Sequence, residues 1–376
     1  MKSLLFLCLW LAIASCDPLA PLYETDDPVP NSYIVKIKDS VARSFINGQF
    51  QNQLERSGFP NAIKRTSTLS NTIVVAIPHD KVDMVRSMEG VEYVEQDGYV
   101  YPDDVGSWGI DRIDQNDLPL DDSYEPGSDG EGVDVYVIDT GILYDHEEFE
   151  GRAFFGQDFI EDGRAGLDCH SHGTHCAGTI AGKTYGVAKK ANVWSVRVFA
   201  CSGGTPKSIV IAAMEWVAEN GKSPAIVSMS LGGSFSVTQN NVVSRLFNVG
   251  FTVVVAAGNA NIPACQRSPG SAPKSITVGS TTDTDARSYF SNYGTCVDIF
   301  APGSSILSAG IESNRDVSTK SGTSMACPHV AGVAALELGK NKNLTPADIT
   351  EILLSKAVKD RVANAGPESP NLLLRI

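Results

Sequence analysis

From Trp108 onward, short apolar, β-branched runs alternate with stretches of helical spacing, and this alternation limits the possible folds more than any other feature of the chain. Residues 133–138, 193–198, 225–229 and 252–256 read as buried strands, whereas 208–218, 238–247 and 325–338 place apolar side chains at helical intervals. Strands separated by helices pair in parallel, and a parallel sheet needs cover on both faces. Chemistry in such sheets gathers beyond the carboxyl ends of the strands. At 376 residues and 42% hydrophobic, the chain can fill more than one core.

Residues 32–100 read as a separate small unit. Residues 32–38 are strand-like, 41–56 helix-like, 72–77 a β-branched run, 81–87 a short amphipathic helix after Pro78, and 91–95 another strand, close to a split β-α-β arrangement. No Ser, His or carboxylate cluster there has a catalytic look, so the unit is expected to serve the larger one. Residues 97–106, with Pro102 and two glycines, form the expected boundary and an exposed cleavage target. Ahead of it, Lys2, the apolar run 4–13 and the small residues Ala12, Ala14 and Ser15 have the layout of a secretory signal peptide, residues 1–16. That run is too short to span a bilayer, and no later segment reaches the ~20 apolar residues needed. A secreted protein without a membrane partner is expected. With 44 acidic against 30 basic residues and a net charge of −14, the chain has the wrong sign for nucleic acid.

Of eight cysteines, Cys8 lies in the signal segment and Cys16 at its edge, leaving Cys169, Cys176, Cys201, Cys265, Cys296 and Cys327. Six cysteines can pair in fifteen ways, and no C-x-x-C motif narrows the choice.

Four segments carry chemistry. Asp139, Thr140 and Gly141 put a carboxylate at the end of a buried strand, but a lone strand-end Asp is more often a helix cap, and an aspartic proteinase needs a second such carboxylate. Residues 169–178 hold His170, His172 and His175, yet their spacing is not that of a H-E-x-x-H metal site. Ser324 precedes a helix of small residues, whose positive end favours developing negative charge, although an N-cap is the plainer role for one serine. Ala326 replaces the second glycine of a G-x-S-x-G elbow. Asn259 ends a strand and offers an amide donor to an oxyanion. Together, Asp, His and Ser in that chain order, each at the end of an element, match the order found in subtilisin rather than that of chymotrypsin or the α/β-hydrolases.

Asp139-Thr-Gly, His172-Gly-Thr-His, Ala257-Gly-Asn and Gly322-Thr-Ser-Met-Ala resemble the blocks of the subtilisin-like serine proteinases. Residues 185–190, 291–294 and 298–302 look like the proteinase K branch, especially its aqualysin-like members. The resemblance covers nearly all of 108–376, and residues 32–100 look like the inhibitory propeptide of the same enzymes. It implies an α/β fold with a mostly parallel, seven-stranded sheet covered by helices on both faces, preceded by a small α+β, ferredoxin-like propeptide domain spanning 17–100, with the peptidase domain at 101–376.

The implied activity is a secreted serine endopeptidase, made as a zymogen that cuts itself near Val100 and Tyr101 and keeps its propeptide as inhibitor. Ser324 would be the nucleophile, His172 the general base and then acid, Asp139 the orienting carboxylate, and Asn259 with the Ser324 N–H the oxyanion donors. Polypeptide substrates would lie between Ser230, Leu231 and Gly232 on one side and Ser202, Gly203 and Gly204 on the other. Ala257 and Gly258 help wall a first pocket without a charged floor, suited to apolar or aromatic side chains. Thr205, Pro206 and Lys207 depart from the family pattern at the outer pockets.

By the same resemblance, Cys169 pairs with Cys201 and Cys265 with Cys296, which leaves Cys176 and Cys327 as free thiols near the site, sensitive to mercurials. Calcium is implied twice, as a structural ion: at Asp111, Asp114, Gln115, Asp121 and Ser123, and at Asp298 with the carbonyls of Pro273 and Ser275. The chemistry itself needs no cofactor, and a monomer is expected. A secreted binding protein that cuts itself once and then retains its propeptide is the competing reading; only turnover of added peptide separates the two.

Overall fold

A computed structural model describes residues 19–25, 28–41, 46–102 and 108–376. The signal segment 1–16, residues 42–45 of the expected first helix and residues 103–107 of the expected boundary lie outside the described residues.

The small unit comprises β1 (Pro28–Ile37), α1 (Gln51–Arg56), β2 (Ile63–Ser67), β3 (Thr72–Ala76), α2 (Val82–Arg86) and β4 (Val91–Pro102). Its strands run antiparallel in the order β4-β1-β3-β2, the ferredoxin-like arrangement. Tyr33, Val35, Phe50, Leu54, Ile73, Val75, Val85 and Val94 fill a core of its own. Strand β2 has no counterpart in the sequence reading.

The large unit runs β5 (Asp134–Asp139), β6 (Ala153–Asp158), α3 (His172–Ala181), β7 (Asn192–Arg197), α4 (Lys207–Asn220), β8 (Ala225–Met229), β9 (Leu231–Ser234), α5 (Val237–Asn248), β10 (Phe251–Ala256), β11 (Ile276–Thr281), β12 (Ile299–Pro302), α6 (Thr323–Lys340) and α7 (Pro346–Lys356). Seven strands pair in parallel in the order β6-β7-β5-β8-β10-β11-β12. Two short strands beyond β12, Leu372–Leu373 and Val358–Lys359, extend the expected seven-stranded sheet to nine, the last of them antiparallel. Helix α6, lined with Ala, Val and Leu, packs with α3 beneath one face. Helices α4 and α5 cover the other face through Val210, Met214, Val242 and Leu246. Of these strands β5, β7, β8 and β10 were legible as apolar runs, whereas the half-buried β6 and the strands β11 and β12 were not read from the sequence.

Strand β4 joins the two units. Its first part pairs with β1, and residues 99–102 then run between β9 and the two-residue strand Thr205–Pro206. It passes unbroken through the boundary expected at 100 and 101, and Asp97 and Gly98 are buried, so the expected exposure of this stretch fails at its start. Where it crosses, Asp97 accepts from the Ser208 N–H (3.1 Å) and hydroxyl (2.6 Å) at the start of α4, and Glu95 accepts from the Thr238 N–H (3.2 Å) and hydroxyl (2.7 Å) at the start of α5. Each carboxylate thus caps the positive end of a helix in the other unit.

Candidate active site

Strand order reverses at β5, which lies in the sheet between β7 on one side and β8 on the other, and the site candidates collect at the carboxyl ends of these strands. Asp139 is the last residue of β5, and its Oδ1 lies 2.7 Å from His172 Nδ1, with both side chains buried. His172 opens α3. The turn before it carries Ser171 in the left-handed region (φ 79°), and the carboxylate of Asp168 accepts the N–H groups of His170, Ser171 and Thr174. Gly173 has no substitute here, because a Cβ would stand 2.2 Å from the Gly141 carbonyl oxygen. Burial alone would push the His172 imidazole down, but the Asp139 carboxylate outweighs it, and the pKa is raised well above 6.5.

Ser324 does not precede its helix; it is the second residue of α6, after Gly322 and Thr323. Its N–H therefore belongs to the first turn, where helical acceptors are lacking. Four residues on, Pro328 has no N–H, which releases the Ser324 carbonyl from the helical ladder. The Ser230 hydroxyl (2.8 Å) and the Cys176 thiol (3.5 Å) donate to it instead, while the Ser324 hydroxyl donates to the Ser230 carbonyl at 3.2 Å. Side-chain to carbonyl hydrogen bonds thus tie the end of β8, α3 and α6 together around the nucleophile candidate.

Asn259 follows β10. Its Oδ1 accepts from the Thr323 N–H and hydroxyl, both at 2.9 Å, which leaves the Nδ2 amide as its donor. Buried Asn292 shapes the loop beneath: Nδ2 donates to the Ala257 carbonyl at 2.7 Å, and Oδ1 accepts from the N–H of Ala260 and Ile262. Gly258 adopts φ +98°, and a Cβ there would meet Asn292 Nδ2 at 2.6 Å. Asp168, Asn292 and Thr323 had no assigned role in the sequence reading.

Leu231 and Gly232 pair with residues 102 and 101 of β4, as expected of a strand-binding edge. On the opposite side the pairing falls to Thr205 and Pro206; Ser202, Gly203 and Gly204 form the preceding turn, with both glycines left-handed. Lys207, at the outer end, is buried with its Nζ 4.0 Å from Glu95.

Disulfides join Cys169 to Cys201 and Cys265 to Cys296. Cys176 and Cys327 are free and buried, and burial raises both thiols, that of Cys327 to about 12. Asp139, His172 and Cys176 are the one set of three His, Cys or acidic residues among the described residues whose ligand atoms lie within 4.8 Å of one another. Holding that thiol in its neutral form suits a packing role beside the imidazole better than metal ligation, which needs the thiolate. The first calcium candidates do not converge as such a set. There Asp111 Oδ1 and Gln115 Oε1 are buried without a hydrogen-bond partner, and Asp114 is raised by burial and by the nearby Asp111 and Asp121. Asp121 instead binds the Ser123 N–H. Asp298, Pro273 and Ser275 line one cleft of about 610 Å³, and burial raises Asp298 to about 6.

The profile of the Subtilase family (Peptidase_S8) matches residues 130–372. This chain belongs to the subtilase family. It is 49% identical to the extracellular serine proteinase of Thermus sp. (strain Rt41A) over 80% of this chain and 74% of that protein. It is 42% identical to the alkaline serine exoprotease A of Vibrio alginolyticus over 90% of this chain and 66% of that protein. Among solved structures, a cold adapted subtilisin-like serine proteinase superposes with a TM-score of 0.69 at 50% identity, covering 71% of this subtilase and 97% of that chain. The subtilase is a serine protease with the subtilisin-like fold. No helix among its described residues is long and apolar enough to cross a membrane.

Proposed function

We propose that this subtilase is a secreted endopeptidase, made as a self-inhibited precursor, that cleaves extended polypeptides with a preference for apolar or aromatic side chains. The observation that carries the reading is residues 99–102 of β4 lying as a central strand between β9 and Thr205–Pro206, their register leading toward Ser230 and hence toward Ser324. That is the pose of a substrate held by main-chain pairing. Ser324 attacks the carbonyl, His172 takes its proton and returns it to the leaving amine, and Asp139 holds the imidazole and stabilises its charged form. The Asn259 amide and the Ser324 N–H receive the oxyanion. Strand β4 continues to Pro102, which supports a self-cleavage point near Val100 and Tyr101 or in the few residues that follow.

The buried, unpartnered oxygens of Asp111 and Gln115 fit a hard cation, and the half-buried carboxylate of Asp298, lining one cleft with Pro273 and Ser275, is chemically suited to a second. Calcium there would tie loops together and takes no part in the reaction.

Intact mass of the secreted protein, before and after a fluorophosphonate, tests the proposal. Cleavage near residue 100 and one adduct on Ser324, both absent in Ser324→Ala, are expected. Cleavage without an adduct and with the small unit still bound would replace the reading by a self-blocked binding protein.

A further inference from the structure

A single buried carboxylate ties the two segments that bring Asp139 and His172 together. Asp168, 8% exposed, accepts five hydrogen bonds: on Oδ1 from the Thr140 hydroxyl (2.9 Å) and the N–H groups of His170 (2.8 Å) and Ser171 (3.0 Å), and on Oδ2 from the Thr174 N–H (2.9 Å) and hydroxyl (2.7 Å). Its donors lie on both sides of the Asp139–His172 contact. Thr140 follows Asp139, and its own N–H donates to Asp139 Oδ1 at 2.7 Å; its hydroxyl accepts from the Gly173 N–H at 2.8 Å, next to His172. Thr174 closes the other side by accepting the Leu143 N–H at 3.0 Å. Three of the five donors, the Thr140 hydroxyl and the Thr174 N–H and hydroxyl, are buried, and an unmet buried donor is costly.

We propose that Asp168 is a positioning residue for the reaction: through Thr140 and the first turn of α3 it sets the separation and angle between the Asp139 carboxylate and the His172 imidazole. It touches no reacting atom. The inference rests on the endopeptidase reading above. Helix capping by a residue four positions ahead of His172 also explains how α3 starts after a left-handed Ser171 with no side-chain cap of its own. An amide at 168 has one acceptor oxygen, so whichever way it turns, at least two of the five donors face an NH₂ group. The Asp139–His172 pair then loses its fixed frame, and displacement on the scale of 1 Å costs about 10²-fold in rate.

The test uses the processed enzyme on a chromogenic peptide, with kcat and KM measured across pH for wild type, Asp168→Asn, Asp168→Glu and Thr140→Val. Turnover by wild type checks the endopeptidase reading separately. The expected result for Asp168→Asn is a kcat lower by about 10- to 100-fold, an unchanged KM, and an acid limb of kcat/KM moved to lower pH, because Asp139 no longer holds the imidazolium. Asp168→Glu, which keeps the acceptors, recovers part of the loss; Thr140→Val, which cuts one link of the frame, moves kcat and the acid limb the same way by less. Wild-type kcat and acid limb in Asp168→Asn, even with a lowered melting temperature, would overturn the proposal and leave a purely structural residue. Should Asp168→Asn not be secreted, Thr140→Val decides: an unchanged kcat and acid limb in that variant overturns the proposal equally.

Discussion

Asn259 is held in one orientation only, because Thr323 presents two donors to its oxygen and so commits its amide nitrogen to donation. Asn259→Ala is therefore expected to lower kcat by about 10²–10³ with little change in KM, the range known for removing such a donor from subtilisin, a member of this family. Steady-state kinetics on one peptide checks this, and an equal loss in kcat and gain in KM would speak for a mere packing role. His172 gives the pH prediction. Its raised pKa means the base form prevails only above the 6.5 of an ordinary imidazole, so activity should fall as pH drops through a value above 6.5. In Asp139→Asn that acid limb should move down. Asp139 and Asn259 could be singled out because they stand in short blocks at the ends of apolar runs, and His172 and Ser324 because theirs open helices of small residues. Asp168 and Asn292 were not, because their work is done through backbone N–H groups of residues close in space or in turns, and no periodicity marks a carboxylate or amide that serves a loop.

Elements were legible where burial on both faces makes a strand uniformly apolar, as in β8, and less so where the signal is local. Strand β2 reads Ile-Lys-Arg-Thr-Ser and alternates between half-buried and exposed positions, so only Ile63 hints at it. The start of α6 was displaced because Gly322 caps it without a side chain, and Pro328 inside it breaks the usual rule while freeing the Ser324 carbonyl for Ser230. Helix α3 yields the prediction at this scale. Gly173→Ala would press a methyl within 2.2 Å of the Gly141 oxygen and 3.1 Å of Asp139 Cβ, forcing α3 away from β5. Activity should fall by more than tenfold, in line with the ~10²-fold cost of a 1 Å misplacement, even in preparations that retain a cooperative melt. Calorimetry beside a kcat measurement separates the two effects, and a wild-type rate would show that the helix can shift without disturbing the pair.

Between the two units, the docking carboxylates Glu95 and Asp97 are buried, and burial raises both above their ordinary values of 4.5 and 3.8 in spite of the helix ends they cap. The sequence reading ended a strand at Glu95 and began the boundary at Asp97, with nothing to say that either carboxylate ends inside an interface. A pKa raised in the docked state means that docking takes up protons. The contribution of these groups is then most favourable at acid pH, below their free values, and is lost as pH rises through their raised ones. A neutral isostere keeps one acceptor oxygen and removes the titration, and any donor left facing its NH₂ group lowers stability by the same amount at every pH. In the uncleavable Ser324→Ala precursor, adding Glu95→Gln and Asp97→Asn should therefore change the melting temperature in a pH-dependent way: relative to its parent, the variant becomes more stable as pH rises from the ordinary carboxylate values of 3.8 and 4.5 through the raised ones, because only the parent must keep buried carboxylates charged. Parallel melts across that range measure the difference directly, cancelling every other titrating group. A difference that stays flat, or runs the opposite way, would mean that the helix ends and Lys207 stabilise the charged carboxylates more than burial opposes them, and that the precursor's grip strengthens with rising pH.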